Sequence, residues 1–335
     1  RDYSPLGLGF HSEDRTNEVM QHPTLEPVKL MNTTDKPIIY GLRCGIGELT
    51  AKMTMSEVRQ DGRKLSSPTD SPTRPVVRWH GGKWLLAPWI VKHFPEHRAY
   101  VEPFGGGGSV LMQKLRSYAE IYNDLDGEIV NLFRVIRDDG QKLVERIELT
   151  PFSRVDFRES YEPSDNPIEQ ARRTVVRSYM GFGSNAHFRN TGFRSNSNRS
   201  GTTPARDWRN YPEAMVAMIE RLRGVIIENR DALDVMRAHD ARTTLHYVDP
   251  PYVPETRDGG EDYHHEMTVE KHEEMAEALN SLEGMVVLSG YRSNLYDDLF
   301  ADWERVQRRA YADGAKERTE YLWLRNIRDT QGYLW

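Results

Sequence analysis

Two spacings of apolar residues alternate along the chain from Val76 onward. Short runs rich in β-branched and aromatic residues appear at Ala99-Tyr100-Val101, Ile121-Tyr122, Val225-Ile226-Ile227, Leu245-His246-Tyr247-Val248 and Met285-Val286-Val287-Leu288. Runs of this kind predict buried strands. Between them the spacing turns helical. Ile129, Leu132, Phe133 and Ile136 stand at i, i+3, i+4 and i+7; His272, Met275, Ala276, Leu279 and Leu282 line one face of a segment that Gly284 ends. Strands alternating with helices predict an α/β fold built on an open, mostly parallel sheet. Two last runs, 305–310 and 319–324, flank Asp313-Gly314 and predict a closing antiparallel hairpin.

The alternation breaks between 150 and 223. Ile168, Ala171, Val175 and Tyr179 mark one helix there, and Met215, Ile219 and Leu222 a second, with Pro212 near its start. The stretch between them is polar. Across 170–223 stand 10 arginines against the acids Asp207, Glu213 and Glu220, interleaved with Phe182, Phe188, Phe193 and Trp208. Guanidinium groups with aromatic rings suit a phosphate backbone and unstacked bases; the plainer alternative is a solvated loop. Four segments result: a poorly ordered 1–75, rich in Pro, Ser, Thr and Asp; 76–149; a mainly helical insert at 150–223; and 224–335.

Composition narrows the classes. A net charge of −6 does not announce a nucleic-acid binder, so any basic face must be local. Cys44 is the one cysteine, which excludes a disulfide framework and a cysteine-rich zinc site and suits a reducing cytoplasm. No stretch approaches the roughly 20 apolar residues of a membrane span, and the polar start, Arg1-Asp2-Tyr3-Ser4-Pro5, has no signal-peptide character. His264-His265-Glu266 looks metal-like, but adjacent side chains point apart, so no metal is expected.

Chemistry concentrates at three places. Asp249-Pro250-Pro251-Tyr252 follows the strand run ending at Val248. A carboxylate, a carbonyl beyond the strand ladder, a stiffened turn and a flat ring could together hold an exocyclic amine; a Pro-terminated strand and loop is the bland alternative. Phe104-Gly105-Gly106-Gly107-Gly108-Ser109 turns from one strand into a helix, the start of a nucleotide-binding α/β unit. Asp124, past the next strand, is placed to accept from ribose hydroxyls or to cap the following helix, a task Asp126 could take instead. The turn is not G-x-G-x-x-G, so an adenosine-containing ligand is indicated without saying which. Lys83, after Gly81-Gly82, could receive a carboxylate near a helix start.

Trp79-His80-Gly81-Gly82-Lys83, then Val101-Glu102-Pro103 with the glycine turn, then Asn123-Asp124, then Asp249 to Tyr252, occur in the order of Dam-like adenine-specific DNA methyltransferases. The chain resembles this D12 class, including its phage and prophage members, over about 76–328. The resemblance implies a Rossmann-like methyltransferase sheet with S-adenosyl-L-methionine as cofactor and double-stranded DNA as partner, with no membrane and no metal. It implies a cytoplasmic monomer, or a transient dimer on DNA. Trp79, Lys83, Glu102, Phe104, Gly105, Gly107, Ser109, Asp124 and Asp249 would bind cofactor, and Asp249, Pro250, Pro251 and Tyr252 would carry catalysis. The insert takes the place of a target-recognition domain, with Arg189, Arg194, Asn198, Arg199 and Arg206 as DNA contacts. His80 departs from the alanine of the best-known members. The competing readings are a cytosine-amine or protein-glutamine methyltransferase, a silent DNA-binding module, and an NAD-dependent dehydrogenase. Target sequence and any partner nuclease of a restriction-modification pair stay open.

Overall fold

The computed structural model describes residues 71–187, 189–196, 201–256, 265–311 and 317–327. The expected disorder of 1–70, the loop expected at 257–263, Phe188, Asn198, Arg199, His264 and the Asp313-Gly314 turn lie outside the described residues. Residues 71–75 differ from expectation. Arg74 lies over the rings of Tyr179 and Tyr211, at 5.4 and 5.6 Å from their centroids. The Tyr179 hydroxyl donates to Pro75 O (2.7 Å) and that of Tyr211 to Val76 O (2.6 Å). The strap is held by partners more than a hundred residues away, which composition cannot reveal.

The sheet has seven strands: β1 (Ala99–Glu102), β2 (Ala119–Asn123), β3 (Val225–Glu228), β4 (Thr244–Val248), β5 (Met285–Gly290), β6 (Glu304–Tyr311) and β7 (Glu317–Arg325). Their order is β3-β2-β1-β4-β5-β7-β6. The first five are parallel; β7 runs antiparallel to both β5 and β6, closing the sheet as a hairpin. Every residue of β4 and β5 is buried, as a parallel strand covered on both faces requires. The chain adds strands outward from β1 on one side, then returns to its other side with β4. The carboxyl ends of β1 and β4 therefore border the crevice where open α/β sheets bind ligands.

The helices are α1 (Ala87–Val91), α2 (Ser109–Gln113), α3 (Gly127–Glu148), α4 (Arg154–Glu159), α5 (Pro167–Met180), α6 (Pro204–Arg209), α7 (Tyr211–Leu222), α8 (Ala232–Ala238), α9 (Val269–Ser281) and α10 (Asn294–Leu299). Asp126 caps α3 by accepting from Glu128 N, so Asp124 is free of that task. The 150–223 segment holds α4 to α7, and it does not stand apart. Val175, Met180, Trp208, Met215 and Leu222 share one core with Phe133 and Leu143 of α3 and Tyr247 of β4. Gly140 lets α7 approach α3 closely, since a Cβ there would run into the Ile219 side chain.

That packing corrects the arginine reading. Arg172 and Arg173 both pair with Glu169, one position outside the window in which the arginines outnumber acids. Arg177 is buried against Glu128 and donates to Ser160 O. Arg221 forks onto Glu120 of β2 at 2.6 and 2.9 Å, and Lys114 joins the same carboxylate at 2.6 Å. Part of the insert's positive charge is therefore spent on pairs within it, on α3 and on β2. Removing Arg221 leaves a buried carboxylate with Lys114 and Ser117 N on one oxygen and nothing in place of the lost guanidinium on the other. Arg221→Ala is expected to cost about 3 kcal/mol in a urea melt, the low end for a broken buried pair.

Candidate active site

The glycine turn is clamped between aromatic rings. Asn123, at the tip of β2, accepts Gly105 N on its carbonyl (2.8 Å). Its side chain donates to Pro103 O (2.9 Å) and Arg230 O (3.0 Å), tying three strand ends together. Tyr122 stacks on Phe133 with centroids 4.1 Å apart and donates its hydroxyl to Gly106 O (2.7 Å). A Cβ on Gly105 would collide with the Tyr122 ring. Gly108 has φ +61° above Phe133, so both backbone and space demand glycine there. Trp79 covers the turn from the other side, its indole against Gly106 and Gly107.

Asp124 holds the turn from beneath. Its carboxylate accepts Gly106 N (2.7 Å) and Asp126 N (2.8 Å). Burial nevertheless pushes it up to about 6, against those two hydrogen bonds. Glu102, at the end of β1, accepts from Tyr100 (2.8 Å) and from Leu111 N of α2 (3.0 Å). Burial lifts it to about 8, with Asp249 adding to the rise. Ser109 is buried at the start of α2.

At the tip of β4 the ladder ends with Val248 paired to Leu288, so the Pro250 carbonyl lies past the last strand pairing. Asp249 is largely covered, its side chain 17% exposed, and meets Lys83 at 2.9 Å. The same ammonium donates to Gly81 O (2.8 Å), stands 3.9 Å from Glu320 and lies 4.8 Å from the Tyr252 ring centroid. Burial raises the Asp249 carboxyl to about 6; Lys83 opposes the rise and Glu320 adds to it. Lys83 thus stands in the corner between Asp249, Glu320 and Tyr252. Tyr252 also departs from expectation. Its ring is only 5% exposed, meets Tyr291 edge-on at 4.5 Å, and donates its hydroxyl to Glu320 at 2.5 Å. The closing hairpin brings Glu320 over the strand tip, and no local pattern near Tyr252 announces that.

The glycine turn and Asp249 open on one cavity of about 380 Å³, walled by Trp79, Phe104, Asp124, Pro251, Leu233 and Met275 among others. A smaller hollow of about 40 Å³ lies between Lys83, Glu102, the glycine turn and Pro250. Two contributors had no signal in the sequence. His187 comes from the insert, stacks on Trp79 at 4.0 Å and is driven down to about 4 by burial. Glu320 comes from the last strand. The helical spacing that places Met275 on a buried face also covers the cavity wall, so that residue was partly legible.

Of the arginines expected on DNA, Arg206 is exposed on α6. Arg189 is half-buried in the segment following α5. Arg194 donates to Tyr179 O (2.9 Å), across the short bridge that joins Gly181 to Phe193. Among the described residues no cluster of His, Cys, Asp and Glu could hold a metal ion, and no helix is long and apolar enough to cross a membrane.

Comparison with known proteins agrees with this geometry. Residues 79–312 match the D12 class N6 adenine-specific DNA methyltransferase family, and the chain belongs to that family. It is 26% identical over 254 residues to the type II methyltransferase M1.LlaDCHI of Lactococcus lactis subsp. cremoris, covering 69% of this chain and 85% of that protein. It is 28% identical over 192 residues to the DNA adenine methylase of Escherichia coli K12, covering 54% of this chain and 66% of that protein. The type II methyltransferase M.MjaIII of Methanocaldococcus jannaschii is 24% identical over 206 residues, 54% and 70% respectively.

The clamp makes a stability prediction. Gly105→Ala forces the Tyr122 ring aside and breaks its bond to Gly106 O. A loss of about 1–3 kcal/mol is expected in denaturant melts, with Gly192→Ala, where an added Cβ meets nothing within 4 Å, as the silent control.

Proposed function

We propose that this chain transfers a methyl group from S-adenosyl-L-methionine to the exocyclic N6 amine of an adenine extruded from double-stranded DNA. The observation that carries the reading is the adjacency of β1 and β4, which opens the glycine turn and Asp249 onto one cavity. The cavity's size falls in the ordinary range for small ligands. Its walls suit this cofactor. Trp79, Phe104, Leu233 and Met275 offer apolar faces for an adenosine, and Asp124 and Asp231 offer acceptors for hydroxyls. Carboxylates outnumber lysine and arginine around it, which favours a sulfonium cation and disfavours the pyrophosphate of a dinucleotide. Glu102 and Lys83 border the smaller hollow, where an amino-acid end carrying both charges would find partners.

Bound there, the cofactor supplies an activated methyl carbon with a good leaving group. The chain supplies position and electrostatics. An adenine amine is a poor nucleophile because its lone pair is spread into the ring. Asp249 and the Pro250 carbonyl accept its two hydrogens and draw nitrogen toward tetrahedral geometry. The nitrogen lone pair then forms the new N–C bond, the C–S pair stays on sulfur, and the surplus proton on nitrogen passes to the Asp249 carboxylate. In a duplex the amine is paired and out of reach, so the base must leave the stack. Tyr291 stands against the Tyr252 ring, so a base that stacks on Tyr252 requires Tyr291 to turn aside. All these groups come from one chain, which suits a monomer.

The test is transfer of labelled methyl to unmethylated DNA, followed by digestion to nucleosides. N6-methyladenine supports the reading; N4-methylcytosine, or label only in added protein, would sink it. Asp249→Ala is expected to abolish turnover while cofactor binding, measured calorimetrically, stays within about tenfold. Because Asp249 must be a carboxylate and lies near 6, kcat should rise with pH through about 6 and then level. A profile flat from pH 5 to 8 would remove Asp249 as the acceptor.

DNA contact is proposed to run through the insert, with Arg189, Arg206 and Arg209 on phosphates and the segment around Asn198 and Arg199 reading bases. Arg206→Glu should weaken binding uniformly across sequences and reduce the salt slope by about one. An unchanged slope in a titration from 50 to 200 mM salt would take Arg206 off the phosphates.

A further inference from the structure

Glu320 is a buried carboxylate in the middle of β7, 2% exposed, paired in register with Arg308 of β6. A charged group there needs an account, because an unpaired buried carboxylate is costly. One oxygen of it, Oε1, collects the Tyr252 hydroxyl at 2.5 Å and the Ser289 hydroxyl at 2.7 Å, and stands 3.9 Å from Lys83 Nζ. Tyr252 belongs to the catalytic turn, Ser289 to β5, and Lys83 to the loop that also touches Asp249. Three elements of the site therefore meet at one atom of a strand that borders neither cavity.

We propose that Glu320 is a positioning residue for methyl transfer: it fixes the Tyr252 ring through its hydroxyl and competes with Asp249 for the Lys83 ammonium. The proposal rests on the reading of Asp249 as the amine's acceptor. Lys83 has three donors. Gly81 O accepts from it, and the carboxylates of Asp249 and Glu320 stand 2.9 and 3.9 Å from the same nitrogen. Between the two carboxylates the ammonium is shared, and Asp249 keeps a lone pair for the base. Without that second anion, Lys83 belongs to Asp249 alone and mutes it. The other groups that face Asp249 are Glu102 from β1, Tyr247 from β4, Tyr252 of its own turn, Tyr291 after β5 and Tyr296 from α10. Of these only Glu102 is another carboxylate. Among the described residues Glu320, at 3.9 Å, is the one carboxylate besides Asp249 within 4 Å of the shared lysine.

The two functions separate by substitution. Glu320→Gln keeps an oxygen for both hydroxyls and removes the charge. Glu320→Ala removes both. Base extrusion is read with 2-aminopurine at the target position, whose fluorescence rises on unstacking, and transfer is read as kcat against pH. For Glu320→Gln the expected result is an unchanged fluorescence rise and KM for DNA, a kcat about tenfold lower, and an acidic limb moved to lower pH. The limb moves down because losing a nearby negative charge makes the Asp249 carboxylate easier to form. For Glu320→Ala the fluorescence rise should also shrink. A Glu320→Gln enzyme with the parent kcat and limb overturns the proposal, and so does a fall in kcat with the limb unmoved, the sign of a structural role alone. Should Glu320→Ala fail to fold, Glu320→Gln decides. If the parent itself transfers no methyl to DNA, the functional reading fails instead, and the fluorescence experiment still reports on the Tyr252 anchor.

Discussion

A buried lysine holds the site together. Lys83 sits in a loop that has no regular structure of its own, and its ammonium reaches a backbone carbonyl in that loop, Asp249 beyond β4, and the neighbourhood of Glu320 on β7. Each carboxylate is largely covered, so each would be expensive without a cation, and the cation would be expensive without them. The arrangement is worth little as net stability, since desolvation offsets most of the attraction. Its value lies in register. The glycine-lysine loop, the Asp-Pro-Pro-Tyr turn and the closing hairpin are distant in sequence, and a misplacement of any one leaves a charge in this corner unmatched. The surplus negative charge that results favours a cationic ligand in this corner.

The sheet order sets where that corner can be. Strands β1 and β4 are neighbours only because the chain reverses its direction of growth between them, and both end on the same edge. A glycine turn at one end and a proline-stiffened turn at the other are then forced to face each other. The aromatic clamp refines this. Tyr122 and Phe133 fill the space beneath the turn and Trp79 the space above, so the glycines serve close packing as much as close approach of a ligand. Asp124, holding Gly106 N from below, keeps a lone pair on each oxygen for a ligand hydroxyl while fixing the loop that would carry it.

How much of this was legible follows from the range of the interactions. The strands and the α3 and α9 faces are written in local periodicity, and they stand where the spacing puts them. The catalytic and glycine turns are local too, being strand ends with particular residues. What periodicity could not show is partnership at long range. Glu320 lies in an alternating strand segment, Arg-Thr-Glu-Tyr-Leu, that reads as an ordinary edge hairpin. The insert's arginines read as surplus charge because Glu128, Glu169 and Glu120 fall outside the stretch that contains them, and pairing ignores such boundaries. Tyr252 was legible as a ring at the right place, but not as a ring already packed against Tyr291.

The same long-range packing changes what the insert can be. Its helices share a core with the sheet, Arg221 is sunk into β2, and His187 stacks on the indole that covers the glycine turn. His187 is neutral, held low by burial, so the contact is one of flat surfaces rather than charge. Ser184 and His80 meet beside it at 3.3 Å. A segment expected to read DNA therefore forms part of the wall of the small-molecule cavity. In a molecule built this way, the pocket and the recognition segment are two faces of one packed body, and neither can be rebuilt without disturbing the other.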